Sequence, residues 1–444
     1  MIAARRSLSQ AAFAARVDDL VKAAIIDGTT CFAALLHRLP GVYPTEALAA
    51  LDRLLDVKAI CPVAAASIRR QAAANGSPVA EGRSLLPLPH PLDYEWRFTP
   101  DSARLLLNRA VDMTHMGGDL LLFGTPGLAV EALTLPVGRR IAFLAESNSV
   151  TDRVLALNRV TGTPLSIALC SGGLPRESAD AVLLDPPWYL DFVRPMLAAA
   201  AHACRPGGVA LISLPPDGAR PSAAADRQAT IAFARRLGLT LIEHSSLSIS
   251  YETPFFERNA LAAAQIYPPP QWRRGDLVVF RKERASTRPP PASSNRSRFW
   301  TEVGIGRMRL FIQGADEVSS DEAGLISLVD DDILPTVSRR DPRRRLANVW
   351  TSGNRIFRTR NPQLVLEAAI SCAGETMGSG VQPDLWGTIR EREALERVGA
   401  ELRALAAIEE QEEGKAPSLA TERSVAWRSS STNYWSRSTA IISG

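Results

Sequence analysis

Cysteine and histidine are scarce and scattered. The five cysteines, Cys31, Cys61, Cys170, Cys204 and Cys372, form no C-x-x-C pair, and the five histidines show no H-E-x-x-H spacing. This excludes a locally spaced zinc site and a disulfide framework, and it suits a reducing, cytoplasmic setting. No metal is expected. Nor is any run long and apolar enough to span a membrane, so no membrane partner is expected. A charge excess of one sign is also lacking: the net charge of +4 permits an anionic partner without demanding one. The start, "MIAARRSLSQAAFAARV", has no acids, in the manner of a transit peptide, but it reads more simply as an amphipathic first helix. The sequence has no internal repeat, and it leaves the oligomeric state open.

The composition is that of an ordinary globular protein, with 46% hydrophobic and 22% charged residues, and 444 residues suffice for two or three domains. Residues 1–75 carry apolar positions at helical spacing, broken by Gly28, Gly41 and Pro44. Such a pattern fits a winged helix-turn-helix and fits a helical cap equally well. Residues 76–94 read as a linker. From 95 to 285 short apolar runs alternate with helical stretches: "DLLLFG", "RIAFLAE", "LSIALC", "AVLLD", "GVALISL", "LTLIEH" and "GDLVVFRKE". This alternation predicts an α/β core with a doubly wound, mostly parallel sheet covered on both faces. A Pro/Ser/Arg hinge follows at 286–298, then a small β-rich basic module at 299–375, a long charged helix at 385–415, and a Ser/Thr-rich tail, 416–444, expected to be disordered.

One stretch carries chemistry: "ADAVLLDPPWYLDF", residues 179–192. A buried strand ends in Asp185-Pro186-Pro187-Trp188, and prolines do not extend a central strand. In an open parallel sheet, ligands sit at the carboxyl ends of the strands. There Asp185 and the Pro186 carbonyl, held extended by Pro187, are two acceptors for an amine, and Trp188 is a flat plate for a planar base. Together they would aim an amine lone pair at an electrophile without needing a strong base. After the first core strand comes "FGTPG", Phe123-Gly124-Thr125-Pro126-Gly127, where a glycine turn and a helix start could approach a ligand closely. After the second comes "AESN", with Glu146 placed to accept from ribose hydroxyls and Asn148 beside it.

"DPPW" resembles motif IV of the S-adenosylmethionine-dependent amino-methyltransferases, and its tryptophan form is similar to that of the adenine-N6 methylases. The resemblance covers about 95–285. It implies a Rossmann-like methyltransferase core, S-adenosylmethionine as cofactor, and methyl transfer to an exocyclic amine such as adenine N6. It makes "FGTPG" the cofactor loop, although the usual F-x-G-x-G has become F-G-T-P-G. It puts the ribose at Glu146 and the methionine end near Thr99 and Pro100 of "RFTPDSARLLL". The motif order resembles that of DNA methylases with a C-terminal target-recognition domain, which implies nucleic acid as partner, DNA before RNA. The chain is also similar, more distantly, to the bis-aminopropyl spermidine synthase-like family, which joins an N-terminal winged helix to a core with D-P-P-Y. That implies aminopropyl or methyl transfer to a polyamine or another small amine. A third reading is a methyltransferase-like adaptor without catalysis.

The expected substrate side comprises Tyr189 together with Tyr251, Pro254, Phe255 and Phe256 of "SISYETPFFERNAL" (248–261). These aromatics could wall a flipped base, or be core residues of a late hairpin. Arginine clusters at 338–345 and 355–360 could meet phosphates, or form a solvated surface.

Overall fold

The structure is a computed structural model, and it describes residues 2–74, 85–134, 138–145, 147–162, 165–169, 176–285, 300–314, 324–376 and 389–414.

The first unit is helical: α1 (Ile2–Ile26), α2 (Phe32–Arg38), α3 (Pro44–Asp56) and α4 (Pro62–Ala73). Prolines open α3 and α4, where a missing N–H costs nothing. Val17, Val21, Leu35, Leu51 and Ile68 share one core. Among the described residues of this unit there is no strand, and its four helices cap the next unit. The cap is docked on the second unit: Gly218 N donates to Pro40 O at 3.0 Å, Tyr267 N to Ala72 O at 2.8 Å, and Trp272 packs into the cap's core.

The second unit runs β1 (Arg97–Phe98), α5 (Pro100–Asp112), β2 (Asp119–Phe123), α6 (Pro126–Thr134), β3 (Arg140–Ala145), α7 (Asn148–Thr161), β4 (Leu165–Leu169), β5 (Ala179–Leu184), α8 (Leu190–Ala203), β6 (Cys204–Leu214), α9 (Ala223–Arg236), β7 (Leu239–Glu252), α10 (Phe255–Ala263) and β8 (Arg274–Lys282). The strand order is β1-β7-β8-β6-β5-β2-β3-β4, with β2 to β6 mutually parallel and β8 antiparallel to both neighbours. Alternate residues feed opposite cores. Leu120, Leu122, Phe143 and Leu183 face α5, α6 and α7, whereas Leu121, Phe123, Leu144, Val182 and Leu184 face α8. Two-sided burial explains why these strands read as continuous apolar runs. The doubly wound, mostly parallel sheet expected from the sequence is present. The stretch 248–261 is not a hairpin: β7 continues to Glu252, and Phe255 starts a helix.

The third unit is larger than its sequence suggests. It joins β9 (Trp300–Ile305), β10 (Met308–Gln313), β11 (Ile326–Ser327), β12 (Val349–Thr351) and β13 (Ile356–Arg358) in an antiparallel sheet ordered β11-β13-β12-β10-β9. Helices α11 (Pro362–Thr376) and α12 (Ile389–Gly414) cover one face through Val365, Ala369, Val398 and Leu402. The charged helix therefore belongs to this module, which is α+β rather than only β-rich. Glu409, fully buried on α12, accepts from Ser352 Oγ at 2.8 Å and from Gly353 N at 2.9 Å.

The expected linker is also corrected where it is described. Residues 85–94 are not a free tether, because Leu86 and Leu88 are buried and His90 is wedged between core and module. The His90 ring stacks on Phe311 at 4.0 Å. Its Nδ1 accepts from Leu92 N at 3.1 Å, so Nε2 carries the proton and donates to Trp350 O at 3.1 Å. Residues 286–298 and 416–444 lie outside the described residues.

Candidate active site

The direction in which successive strands join the sheet reverses between β2 and β5, the place where open α/β sheets bind ligands. Phe123 pairs with Leu184 in register. Gly124 and Asp185 are therefore the residues that directly follow two adjacent, paired strand ends. The cofactor-loop glycine and the motif acid are brought together by topology.

On the β2 side, Gly124 has φ +63°, a conformation that favours glycine, and a Cβ there would lie 3.2 Å from Met196 Cε. Next to it, the buried Thr125 hydroxyl has no hydrogen-bond partner. Pro126 and Gly127 open α6, and a Cβ added at Gly127 would meet nothing closer than Arg97 Cβ, at 3.8 Å. Thr99 caps α5 by accepting from Ser102 N, with Pro100 as the first helical residue. Ser102 Oγ in turn accepts from Ser250 N at 2.8 Å. This ties the T-P motif to β7. Glu146 lies outside the described residues. Asn148 opens α7, but its side chain also lies outside them.

On the β5 side, Asp185 accepts from Tyr251 Oη at 2.8 Å, and Tyr251 Oη is 2.5 Å from Ser213 Oγ. Because the tyrosine proton is given to Asp185, Ser213 must donate to Tyr251. Burial pushes the Asp185 carboxyl up to about 7, against the opposing pull of the Tyr251 hydrogen bond and the Arg273 charge. Trp188 is only 8% exposed and meets Tyr251 edge-on at 5.7 Å. Its ring carries the Arg273 guanidinium at 4.1 Å, and the same guanidinium lies 3.9 Å from the Trp96 ring centroid. The expected stacking plate thus has a resident cation. Glu257, on α10, is fully buried and accepts from Tyr43 Oη of the helical cap, while its Oε2 has no partner. Burial raises its carboxyl to about 7, although the Tyr43 bond and Arg273 oppose the rise. Pro254 precedes α10, and Phe255 and Phe256 are buried on it.

Sequence reasoning singled out Tyr251 but missed Tyr43, Trp96, Ser213, Glu257 and Arg273. Glu257 stands within the very loop that was singled out; only its burial marks it. The arginine clusters are divided between inward contacts and the surface. Arg339 pairs with Asp191, Arg343 with Asp341 and Arg355 with Glu412, and Arg344 lies 4.4 Å from the Trp350 ring centroid. Arg340, Arg345 and Arg358 remain exposed. Among the described residues no group of acids, histidines and cysteines could hold a metal ion, and no helix is long and apolar enough to cross a membrane.

No protein-family model matches the chain, and no curated protein is similar to it in sequence. Several solved structures are similar in fold. The branched-chain polyamine synthase of Thermus thermophilus, solved with N4-aminopropylspermidine and 5'-methylthioadenosine, is 14% identical; the match covers 63% of this chain and 90% of that one, with a TM-score of 0.47. A TehB-like SAM-dependent methyltransferase from Corynebacterium glutamicum is 16% identical over 41% of this chain and 86% of that one, with a TM-score of 0.27. A geranyl diphosphate methyltransferase in complex with SAM is 13% identical over 41% of this chain and 85% of that one, with a TM-score of 0.31. By its own strand order and the parallel pairing of β2 to β6, the second unit is a Rossmann-like, doubly wound core.

Proposed function

We propose that the chain transfers a methyl or aminopropyl group from an S-adenosylmethionine-type donor to an amine held at Asp185. The observation that carries this reading is a carboxyl raised to about 7 at the switch point, in register with the glycine loop and gripped by Tyr251. When bound, the donor supplies an electrophilic carbon on a sulfonium. The residues present fit such a group. Gly127 leaves space beside the loop, and the orphaned Thr125 hydroxyl offers a hydrogen bond that the protein leaves unmade. Asp185 and the Pro186 carbonyl would accept from the amine and aim its lone pair. With a carboxyl near neutrality, Asp185 can also take the proton that the amine loses as its new bond forms. Tyr251, fixed by Ser213, holds the carboxylate in place.

We read the acceptor as a small cationic amine. Two carboxyls, Asp185 and Glu257, both act on the charge of Arg273, whose guanidinium covers one face of Trp188. The adenine-N6 reading needs a free face of Trp188, and Arg273 occupies one of the two. Nucleic acid would then meet Arg340, Arg345 and Arg358 on the third unit. The test is transfer of label from S-adenosylmethionine, and from its decarboxylated form, to spermidine and to an adenine-containing oligonucleotide. Transfer to spermidine that disappears in Asp185→Asn supports the reading. Transfer to the oligonucleotide alone would replace it with the adenine reading, and transfer to neither, without donor binding, would leave an adaptor.

A further inference from the structure

We propose that the third unit positions the two ligand loops of the site, through Glu302 and Arg309 on the loop after β3 and through Arg339 on the loop after β5. This rests on the reading of those loops as donor and acceptor sides.

The contacts converge from three directions. Arg309, on β10, is 2% exposed and spans the domain boundary. Its guanidinium pairs with Glu302 at 2.7 Å and with Asp93 at 2.7 Å, and it donates to Leu88 O at 3.2 Å and to Ser147 Oγ at 3.2 Å. Glu302, on β9, accepts from Ser149 Oγ at 2.5 Å and from Ser147 Oγ at 3.2 Å. Ser147 is the N-cap of α7 and follows Glu146 directly. The capping residue of the expected ribose loop is thus held by two strands of another unit. A buried pair satisfied on both sides is costly to break on one side.

The acceptor loop is held as well. Arg339 makes a two-pronged contact with Asp191, at 3.2 and 3.1 Å. Its guanidinium lies 4.8 Å from the Tyr189 ring centroid and 5.2 Å from that of Phe192. Arg220 of the core covers Tyr189 as well, at 4.9 Å. An exposed ion pair alone contributes little, but stacking on three aromatics with Tyr94 adds to it. Tyr189 immediately follows "DPPW", so its placement fixes the exit of the motif. A third contact reaches α10, the helix of Glu257, where Asn259 Nδ2 donates to Gly353 O at 3.0 Å. Two arginines of this unit, Arg309 and Arg339, are thus directed at the core.

The test compares full-length wild type with Glu302→Gln and Arg339→Ala, with Arg339→Lys as the conservative control. Hydrogen exchange is read by segment, with no ligand present. Glu302→Gln should speed exchange in 147–152 about ten-fold and leave 186–193 unchanged; losing a charge-assisted hydrogen bond has that size. Arg339→Ala should do the reverse, and Arg339→Lys should recover part of the protection. Calorimetric titration with S-adenosylmethionine should show weaker binding in Glu302→Gln and wild-type binding in Arg339→Ala. Unchanged segment exchange in both variants would overturn the proposal. If wild type binds no S-adenosylmethionine, the reading of the site falls, while the exchange data still decide the positioning roles.

Discussion

Asp185 stores a measurable cost. Its carboxyl moves from 3.8 in a free chain to about 7 in the fold. A folded pKa raised above the unfolded value gives stability that is complete below the unfolded pKa and is lost as pH rises through the folded one. The shift of about three units corresponds to about 4 kcal/mol over the whole range. Between pH 5 and pH 8 the part lost is about 2.5 kcal/mol. Asp185→Asn keeps the shape and cannot ionise, so it escapes this loss. Urea unfolding of the core, followed at both pH values for both proteins, isolates the effect, because titrations elsewhere cancel in the difference. The variant should gain on wild type by about 2.5 kcal/mol from pH 5 to pH 8, while losing transfer activity. A difference that stays flat across that range would refute the buried, near-neutral carboxyl and the proton-accepting role built on it.

Three further outcomes follow from named contacts. Gly124→Asp puts a side chain at a positive φ and a carboxylate beside Asp185, and it should abolish S-adenosylmethionine binding in a calorimetric titration. Tyr43→Phe removes the donor to Glu257, so its carboxyl should rise further; the loss of melting temperature should be larger at pH 8 than at pH 6. Glu409→Ala strands the Ser352 hydroxyl and Gly353 N–H and should cost about 2–4 kcal/mol, seen as earlier melting of the third unit and faster proteolysis of α12.

How much of this was legible in the sequence depends on whether a residue's role is local. The strands of the second unit were, because β2, β3 and β5 are buried on both faces and so read as unbroken apolar runs. "DPPW" was legible because an acid and two prolines conflict with a strand interior. Tyr43, Trp96, Glu257 and Arg273 were not. They come from the cap, the β1 approach, α10 and the β8 approach, and no spacing connects them before the chain folds. The arginines of 338–345 were only partly legible: a local run gives no sign of which members fold inward, and Arg339 and Arg344 are used on Asp191, Tyr189, Tyr94 and Trp350 while Arg340 and Arg345 stay exposed. Likewise the prolines of 85–94 read as linker, while Leu86, Leu88 and His90 carry the domain contact.

The charges of the site give a means of separating its two acceptor readings. Asp185 and Glu257 each sit near 7, and one guanidinium, Arg273, serves both. At pH 7 each carboxyl is therefore about half protonated, and the pair holds about one proton to give up. A cationic amine bound close to both carboxyls favours both ionised forms and should expel up to about one proton in total. A neutral adenine stacked on Trp188 supplies no such charge and should expel none. Calorimetric binding of spermidine at pH 7, in phosphate and in Tris, converts the difference into heat, because the buffers differ in protonation enthalpy. Buffer-dependent heat that vanishes in the double variant Asp185→Asn/Glu257→Gln would establish the acidic pair as the amine's seat. Binding with buffer-independent heat would mean that the cation enters without those carboxyls, and the small-amine reading would fail at its central residues.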